Sequence, residues 1–443
     1  MSAGAKHLHG DRPAYLSACK APDRVPSVCN LMTDAKMNSL TNSVQRVIGL
    51  DCHPDSFTAA VLTGSTPAAA IVETMFDQIP IARLQSWANK HTKAEDLIVL
   101  EASGNSFQIA RSLTEIGRRA LVLESCHLGK LKEAHANNDK ISAVRIAKAY
   151  LAGTAKRVWV PDQKTQQRRD WFHAHRKAVQ RATQIKNRVR SYLSDNGVRL
   201  PQGLRLTNAK NAALKIKAAR AWSSSQMQVI EILLADLEHA EAQRKKWRVL
   251  IAQEVLSDPT LLELVRLCGV RDMIAFALGA FIGDISRFDN PRKLVKYVGL
   301  NPAFDHSGRG KWTGGIGGHG NKYLRCMLIE GAHSILRCGK NQLAKWGKKL
   351  LARKSQLNIA VAAVARKLTV AVWYLMMGRW TALEEFDDLL KCKLAKIIAE
   401  TSPDFRQSLG PNRVIIRQTV RQRISAARDY ILNPNQTFQP KVP

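Results

Sequence analysis

Apolar and polar positions alternate in two registers along this chain, and the change between them falls near residue 156. Before it, short apolar runs end on an acid: Val47-Ile48-Gly49-Leu50-Asp51 and Leu97-Ile98-Val99-Leu100-Glu101. Runs of four or five apolar residues bounded by turn formers predict buried strands. Phe57–Leu62 and Ile71–Phe76 are expected as antiparallel neighbours of the first. Ala120–Glu124 reads as a further strand. Helical spacing predicts helices at Leu84–His91, Gln108–Ile116 and Asp139–Tyr150.

Beyond Lys156 the period is helical. Trp171–Leu193 predicts one long helix carrying cations on several faces. Met227, Ile230, Leu234 and Leu237 recur at 3-4-3 spacing, which predicts an amphipathic helix or short coiled coil ending near Ser257-Asp258-Pro259. From Leu261 to Phe288, two short helices flank Gly269. One reading is a helix-hairpin-helix whose backbone N–H groups face a DNA phosphate, although Arg271 stands where a second glycine is usual. The other reading is two core helices and a turn. Lys322–Arg337, Ile359–Met377 and Arg413–Leu432 are further helices, with a loose end after Pro434. No internal repeat is visible.

The order of three hairpin-like strands followed by strand–helix units matches a ribonuclease H-like α/β layout. The expected organisation is a disordered extension (1–44), an α/β domain (45–155), a basic helical or coiled-coil region (156–257), a mostly helical C-terminal domain (258–390) and a basic tail (391–443).

Charge changes the picture more than composition does. The chain has 443 residues, ample for several domains, and 68 Lys and Arg stand against 36 Asp and Glu, a net charge of +32. Such an excess repels itself unless a polyanion shares the surface, so nucleic acid is the leading partner, bound through phosphates in a salt-sensitive way. Residues 156–225 hold 17 Lys/Arg and three acids, Asp162, Asp170 and Asp195. Their phosphate candidates are Arg168, Arg169, Lys186 and Arg188. No apolar run approaches the roughly 20 residues of a spanning helix, so a membrane is not an expected partner. The first 44 residues lack a secretory h-region. The eight cysteines form no CxxC pair, which argues against a disulfide framework and fits a reducing cytoplasm near the nucleoid.

Two groups of residues carry candidate chemistry. Asp51 and Glu101 end strands, and Asp139 opens a helix; carboxylates so placed hold hard cations such as Mg²⁺, and a two-ion site would stabilise attacking and leaving oxygens. Singly, such aspartates also serve as caps and turns. Ser142, one helical turn past Asp139, is neutral where a carboxylate would complete the set. Cys52 and His53 suggest zinc, but no second Cys/His pair stands at suitable spacing. The second group is Ser307-Gly308 in a glycine-rich run with Arg309 and Lys311, followed by Asn321, Lys322 and Arg325. A serine hydroxyl in a cationic, flexible loop is a nucleophile candidate, or a simple hydrogen-bond donor to phosphate.

Taken in order, these pieces resemble a known family. They are Val47–Asp51, Leu100-Glu101-Ala102-Ser103-Gly104, Asn138-Asp139, Val160-Pro161-Asp162 with Arg168-Arg169-Asp170, Ile282–Phe288, Gly299-Leu300-Asn301-Pro302, Ser307-Gly308, Gly320-Asn321 with Leu324-Arg325, and Ala365–Leu368. From about Val47 to Gly378 the chain resembles the DEDD-type insertion-sequence transposases, the bridge-RNA-guided serine recombinases related to Piv-type DNA invertases. The resemblance implies a RuvC-like domain whose acidic tetrad falls on Asp51, Glu101, Asp139 and, as a departure, Ser142. It implies a coiled-coil linker and a C-terminal transposase domain whose catalytic serine is Ser307. The implied mechanism is serine attack on a DNA phosphodiester, assisted by Mg²⁺-bound carboxylates. The implied partners are DNA (element ends and target), a structured noncoding RNA, and further copies of the chain in a dimer or tetramer. Two alternatives stay in play: a nucleic-acid-binding relative with weakened catalysis, which Ser142 suggests, and a metal-dependent RuvC-like nuclease using the acids alone.

Overall fold

The computed structural model describes residues 45–125, 138–200, 206, 209–307, 310–379 and 387–432, with the backbone alone at 45, 209–210, 303–307, 310–313, 387 and 432. The expected extension over 1–44 and the end beyond 432 lie outside the described residues. The chain forms two compact units, whose boundary falls between Lys164 and Thr165.

The first unit is a six-stranded sheet between helices. Its elements are β1 (Gln45–Cys52), β2 (Ser56–Gly64), β3 (Ile71–Pro80), α1 (Leu84–His91), β4 (Leu97–Glu101), α2 (Ser106–Glu115), β5 (Arg119–Leu123), α3 (Asp139–Leu151) and β6 (Arg157–Val158). The strand order is β3-β2-β1-β4-β5-β6. β1 runs antiparallel to β2 and parallel to β4, and β4 runs parallel to β5. Strand alternation sorts the side chains by parity. Ile48, Leu50, Ile98 and Leu100 pack on one face with Trp87, Ile109 and Leu113 of α1 and α2. Val47, Leu97 and Val99 pack on the other with Ala143, Ile146 and Ala147 of α3. The near-continuous apolar runs of β1 and β4 follow from this burial on both faces.

The second unit is mostly helical. It begins with α4 (Gln163–Asp195), α5 (Ala209–Ala219) and α6 (Ser224–Ser257). α6 opens on a capping box in which Ser223 and Gln226 bond each other's backbone. Ion pairs Arg168–Glu254 and Lys186–Glu241 and the bond between Asn196 and Gln226 show α4 and α6 running antiparallel. Ile185, Val189 and Leu193 meet Ile230, Leu234 and Leu237 in the seam between them. Then follow α7 (Pro259–Leu264), α8 (Asp272–Ile282), α9 (Pro291–Val298), β7 (Pro302–Ser307), β8 (Gly310–Ile316), α10 (Lys322–Cys338), α11 (Gln342–Lys354), α12 (Leu357–Met376), α13 (Asp387–Glu400), α14 (Pro403–Leu409) and α15 (Arg413–Leu432). One hydrophobic core gathers residues from α6 through α15.

Three expectations are corrected here. Residues 391–432 are not a free basic arm: Leu394, Ile397, Ile416, Val420 and Ile424 are buried in that core, and Arg428 pairs with buried Glu263. The turn at Gly269 is not exposed to a phosphate. A Cβ there would lie 2.5 Å from the Gly331 carbonyl, so the turn is pressed against α10, and the start of α8 already holds buried Asp272, paired with Arg248 and Arg271. Two core helices and a turn is therefore the correct description. Finally, α12 is long and apolar enough to cross a membrane, the one such helix among the described residues, because only Arg366 and Lys367 interrupt it. Its most apolar window is 61% buried, and it is a core helix of this unit.

Candidate active site

Asp51 and Glu101 end neighbouring parallel strands. The last paired residues are Leu50 and Leu100, so the two acids stand one step further on, on strands about 4.8 Å apart. Both have odd parity with Val47 and Val99, which puts them on the face covered by α3. Asp139 arrives on that face from the first turn of α3. Asn138, not Asp139, caps this helix: its side chain accepts from the Ile141 amide at 2.8 Å. The Asp139 carboxylate is therefore not spent on the cap.

Gly49 sets the approach. A Cβ at this position would lie 2.0 Å from the Ala143 carbonyl oxygen and 3.0 Å from the Ala147 amide nitrogen. α3 thus rests on β1 backbone to backbone, through Gly49, Ala143 and Ala147. Because Asp139 lies one turn before Ala143, this contact carries its carboxylate to Asp51.

A third donor joins them, one that the sequence suggests only as half of a zinc pair with Cys52, set aside for want of a second Cys/His pair. His53 sits two residues past Asp51, on the same face, and its Nε2 lies 3.3 Å from Asp139 Oδ2. One ligand atom from each of Asp51, His53 and Asp139 falls within 4.8 Å of the others. The signal was the strand period itself, since residues i and i+2 share a face. Cys52 points the other way, into the core with Leu50. Burial, with the Asp51 charge adding, pushes its thiol up to about 12. Glu101 is not in the three-residue group but ends the adjacent strand. Ser142 lies on α3, its amide bonded to the Asn138 carbonyl at 2.9 Å. Two carboxylates and an imidazole, with Nε2 shielded from solvent and without a hydrogen bond, fit a divalent cation.

Ser307 belongs to the other unit. The run around it is a β-hairpin rather than a loop: β7 and β8 pair antiparallel, with Ser307 opposite Gly310 and His306 opposite Lys311. Arg309 and the side chains of Ser307 and Lys311 lie outside the described residues. The neck of the hairpin is well defined. Gly299 (φ 80°) ends α9, and Gly320 (φ 92°) precedes α10. A Cβ on Gly320 would lie 2.7 Å from the Gly299 amide nitrogen, and one on Gly299 would lie 2.0 Å from the His319 carbonyl oxygen. The Asn321 amide donates to the Tyr297 carbonyl at 2.7 Å. Segment 299–320 thus leaves and returns through one backbone contact that only glycine permits.

Several residues expected to meet phosphates are committed inside the fold. Arg168 is buried between Glu254 and Asp258, and those carboxylates raise its already high pKa against the effect of burial. Arg169 donates to the Ala280 carbonyl, and Lys186 pairs with Glu241. Asn321 caps α10, accepting from the Tyr323 and Leu324 amides. Arg325 donates to the His319 carbonyl at 2.8 Å and holds the neck. These cationic side chains were expected to face phosphates; the acceptors they meet instead are ones that sequence spacing does not show. Lys322 and Arg188 are exposed, as are Lys177, Arg181 and Arg190 on α4. Arg181 and Arg188 line one groove with Asn187, Ser191 and Asp236.

Known proteins resolve the identity of this arrangement. The IS110-type DEDD transposase domain matches residues 48–196, and the transposase domain of the IS116/IS110/IS902 family matches residues 263–347. Together they cover more than half of the chain. A Pseudomonas aeruginosa PAO1 protein described as "Probable family 20 transposase" is 24% identical over 284 residues, spanning 63% of this chain and 83% of that protein. The "Transposase for insertion sequence element IS1111A" of Coxiella burnetii is 24% identical over 287 residues, spanning 64% of this chain and 78% of that protein. DEDD transposases use divalent metal ions, and the carboxylates that end β1 and open α3 lie inside the DEDD match. The chain belongs to the IS116/IS110/IS902 family of transposases, enzymes that cut and rejoin DNA.

Proposed function

We propose that this transposase cuts DNA by attack of Ser307 on a phosphodiester, assisted by a divalent-metal site on Asp51, Glu101 and Asp139 of a RuvC-like unit. The observation that carries the reading is the convergence of Asp51 and Asp139 at the ends of a mixed sheet whose order begins β3-β2-β1-β4-β5. A bound Mg²⁺ ion, or a pair of them, would stabilise negative charge on the phosphate. The chain's residues do the rest. Ser307 Oγ forms a bond to phosphorus as the bond to one bridging deoxyribose oxygen breaks. The serine proton passes to a base, and the freed deoxyribose oxygen takes up a proton. Rejoining is the reverse attack by a deoxyribose hydroxyl on the phosphoserine, so no outside energy source is required. Ser142 leaves the site one negative charge short of four acids, and Mg²⁺ binding is correspondingly weak.

DNA is held chiefly through phosphates, with the element's ends and a target as substrates and a homo-oligomer as the working unit. The resemblance to bridge-RNA-guided recombinases and Piv-type invertases supports a structured noncoding RNA as the source of sequence choice. The exposed cations of α4 suit an RNA or DNA backbone equally.

The test is to incubate the full chain, with any co-purifying RNA retained and sequenced, with the element's own ends and Mg²⁺. The expected result is a covalent protein–DNA adduct, mapped by mass spectrometry to the peptide containing Ser307. It should vanish in Ser307→Ala and in Asp139→Asn. Undiminished cutting by Ser307→Ala would remove the serine step and leave a metal-dependent nuclease. Cutting by an RNA-free preparation would remove the guide.

A further inference from the structure

Resting on the reading of this cluster as a metal centre, we infer that His53 is a metal ligand. It supplies the donor that Ser142 provides poorly, and it shifts the site's preference from Mg²⁺ toward an ion that accepts nitrogen, such as Mn²⁺.

Three observations support this. First, the contact between His53 Nε2 and Asp139 Oδ2, 3.3 Å long, is not a hydrogen bond, and Nε2 is shielded from solvent without a hydrogen-bond partner. Two donors that share one cation at bond lengths of about 2.1 Å lie about 3.0–3.4 Å apart in octahedral or tetrahedral geometry. The observed separation falls in that window. Second, the backbone of His53 is fixed at both ends. Its amide donates to the Ser56 carbonyl at 2.9 Å, and its carbonyl accepts from Asn105 Nδ2 at 2.8 Å. Asn105 lies in the turn that follows Glu101. The same bond therefore ties the end of β1 to the end of β4 and holds the imidazole beside the acids. Third, the donor chemistry fits. A neutral imidazole is a stronger ligand than a serine hydroxyl, yet Mg²⁺ prefers oxygen, whereas Mn²⁺ and later divalent ions bind imidazole more readily.

The full-length chain is stripped of metal and titrated with Mn²⁺, free ion being followed by electron paramagnetic resonance. Bound Mn²⁺ is then examined for coupling to a ¹⁴N nucleus by electron spin-echo envelope modulation. The wild-type chain should show nitrogen coupling, a readout that needs neither a variant nor turnover. His53→Gln should lose it and weaken Mn²⁺ binding by about tenfold or more, with a smaller effect on Mg²⁺. The double variant His53→Gln/Ser142→Asp should recover affinity without nitrogen coupling and should prefer Mg²⁺. Bound Mn²⁺ without nitrogen coupling in the wild type overturns the inference. So does unchanged Mn²⁺ affinity in a His53→Gln chain whose metal-free melting temperature matches the wild type. Asp139→Asn separates the two levels. If it leaves Mn²⁺ binding intact, the metal-centre reading itself fails; if it abolishes binding while His53→Gln does not, only the role of His53 fails.

Discussion

Gly49→Ala is the sharpest test of how the acidic site is assembled. The added methyl would sit 2.0 Å from the Ala143 carbonyl oxygen and 3.0 Å from the Ala147 nitrogen. A carbon–oxygen contact relaxes at about 3.3 Å, so α3 must lift from β1 by roughly 1.3 Å near Ala143. Both partners are main chain, and no side chain can rotate away. Overpacking of this kind costs about 1–3 kcal/mol, and the upper half of that range applies here. Asp139 moves with the helix, and metal sites tolerate only about 0.2 Å in their bond lengths. The expected outcome, read by hydrogen exchange on peptides from β1 and α3, is a loss of protection of about thirtyfold, the equivalent of ~2 kcal/mol. Mn²⁺ affinity should fall in parallel. Gly315→Ala, whose new methyl meets nothing within 4 Å, should leave both readouts unchanged. If Gly49→Ala keeps wild-type protection and wild-type metal affinity, the close helix–strand contact is not what brings Asp139 to Asp51.

Other outcomes follow from the same geometry. Arg168→Met should destabilise the helical unit by about 3–5 kcal/mol, since it strands the carboxylates of Glu254 and Asp258; a melting temperature within a degree or two of wild type would contradict the buried pairing. Burial, with Arg248 and Arg244 adding, lowers the pKa of His175 to about 4. Its neutral form is favoured by folding, so its contribution is complete above the unfolded value near 6.5 and is lost as pH falls from there toward 4. At most about 3 kcal/mol is at stake, and His175→Leu should flatten that part of a stability–pH curve. Gly320→Ala should break the neck at Gly299, abolish Ser307-dependent adducts and leave Mn²⁺ binding intact, whereas Asn321→Ala should cost about 1 kcal/mol through the lost cap of α10.

Much of the α/β unit was legible in the chain. Leu84–His91 and Leu97–Glu101 are where the pattern placed them, because a short apolar run between turn formers has few ways to be buried. β3 runs four residues past its expected end, to Pro80. Its face is largely exposed, so no apolar signal marks where it stops. The hairpin was read as a loop because seven glycines carry no strand propensity; what stabilises a ladder there is pairing across the turn, not the residues singly. The tail was read as a basic arm from its cations; its helix over Arg413–Leu432 was legible, but that its apolar positions find a core is a matter of tertiary packing.

By itself the sequence determined the local elements, the surplus of positive charge and the residue types able to bind metal or phosphate, since these depend on near neighbours and composition. Tertiary structure alone decided which of them meet. Asp139 reaches Asp51 across 88 residues because Gly49 lets a helix lie on a strand. His53 joins the two through the pleat of β1. Arg168 and Lys186 are withdrawn from solvent by carboxylates 86 and 55 residues away. Long-range pairing is set by packing and by the cost of leaving buried charges unmatched, and neither is written in the spacing of residues along the chain.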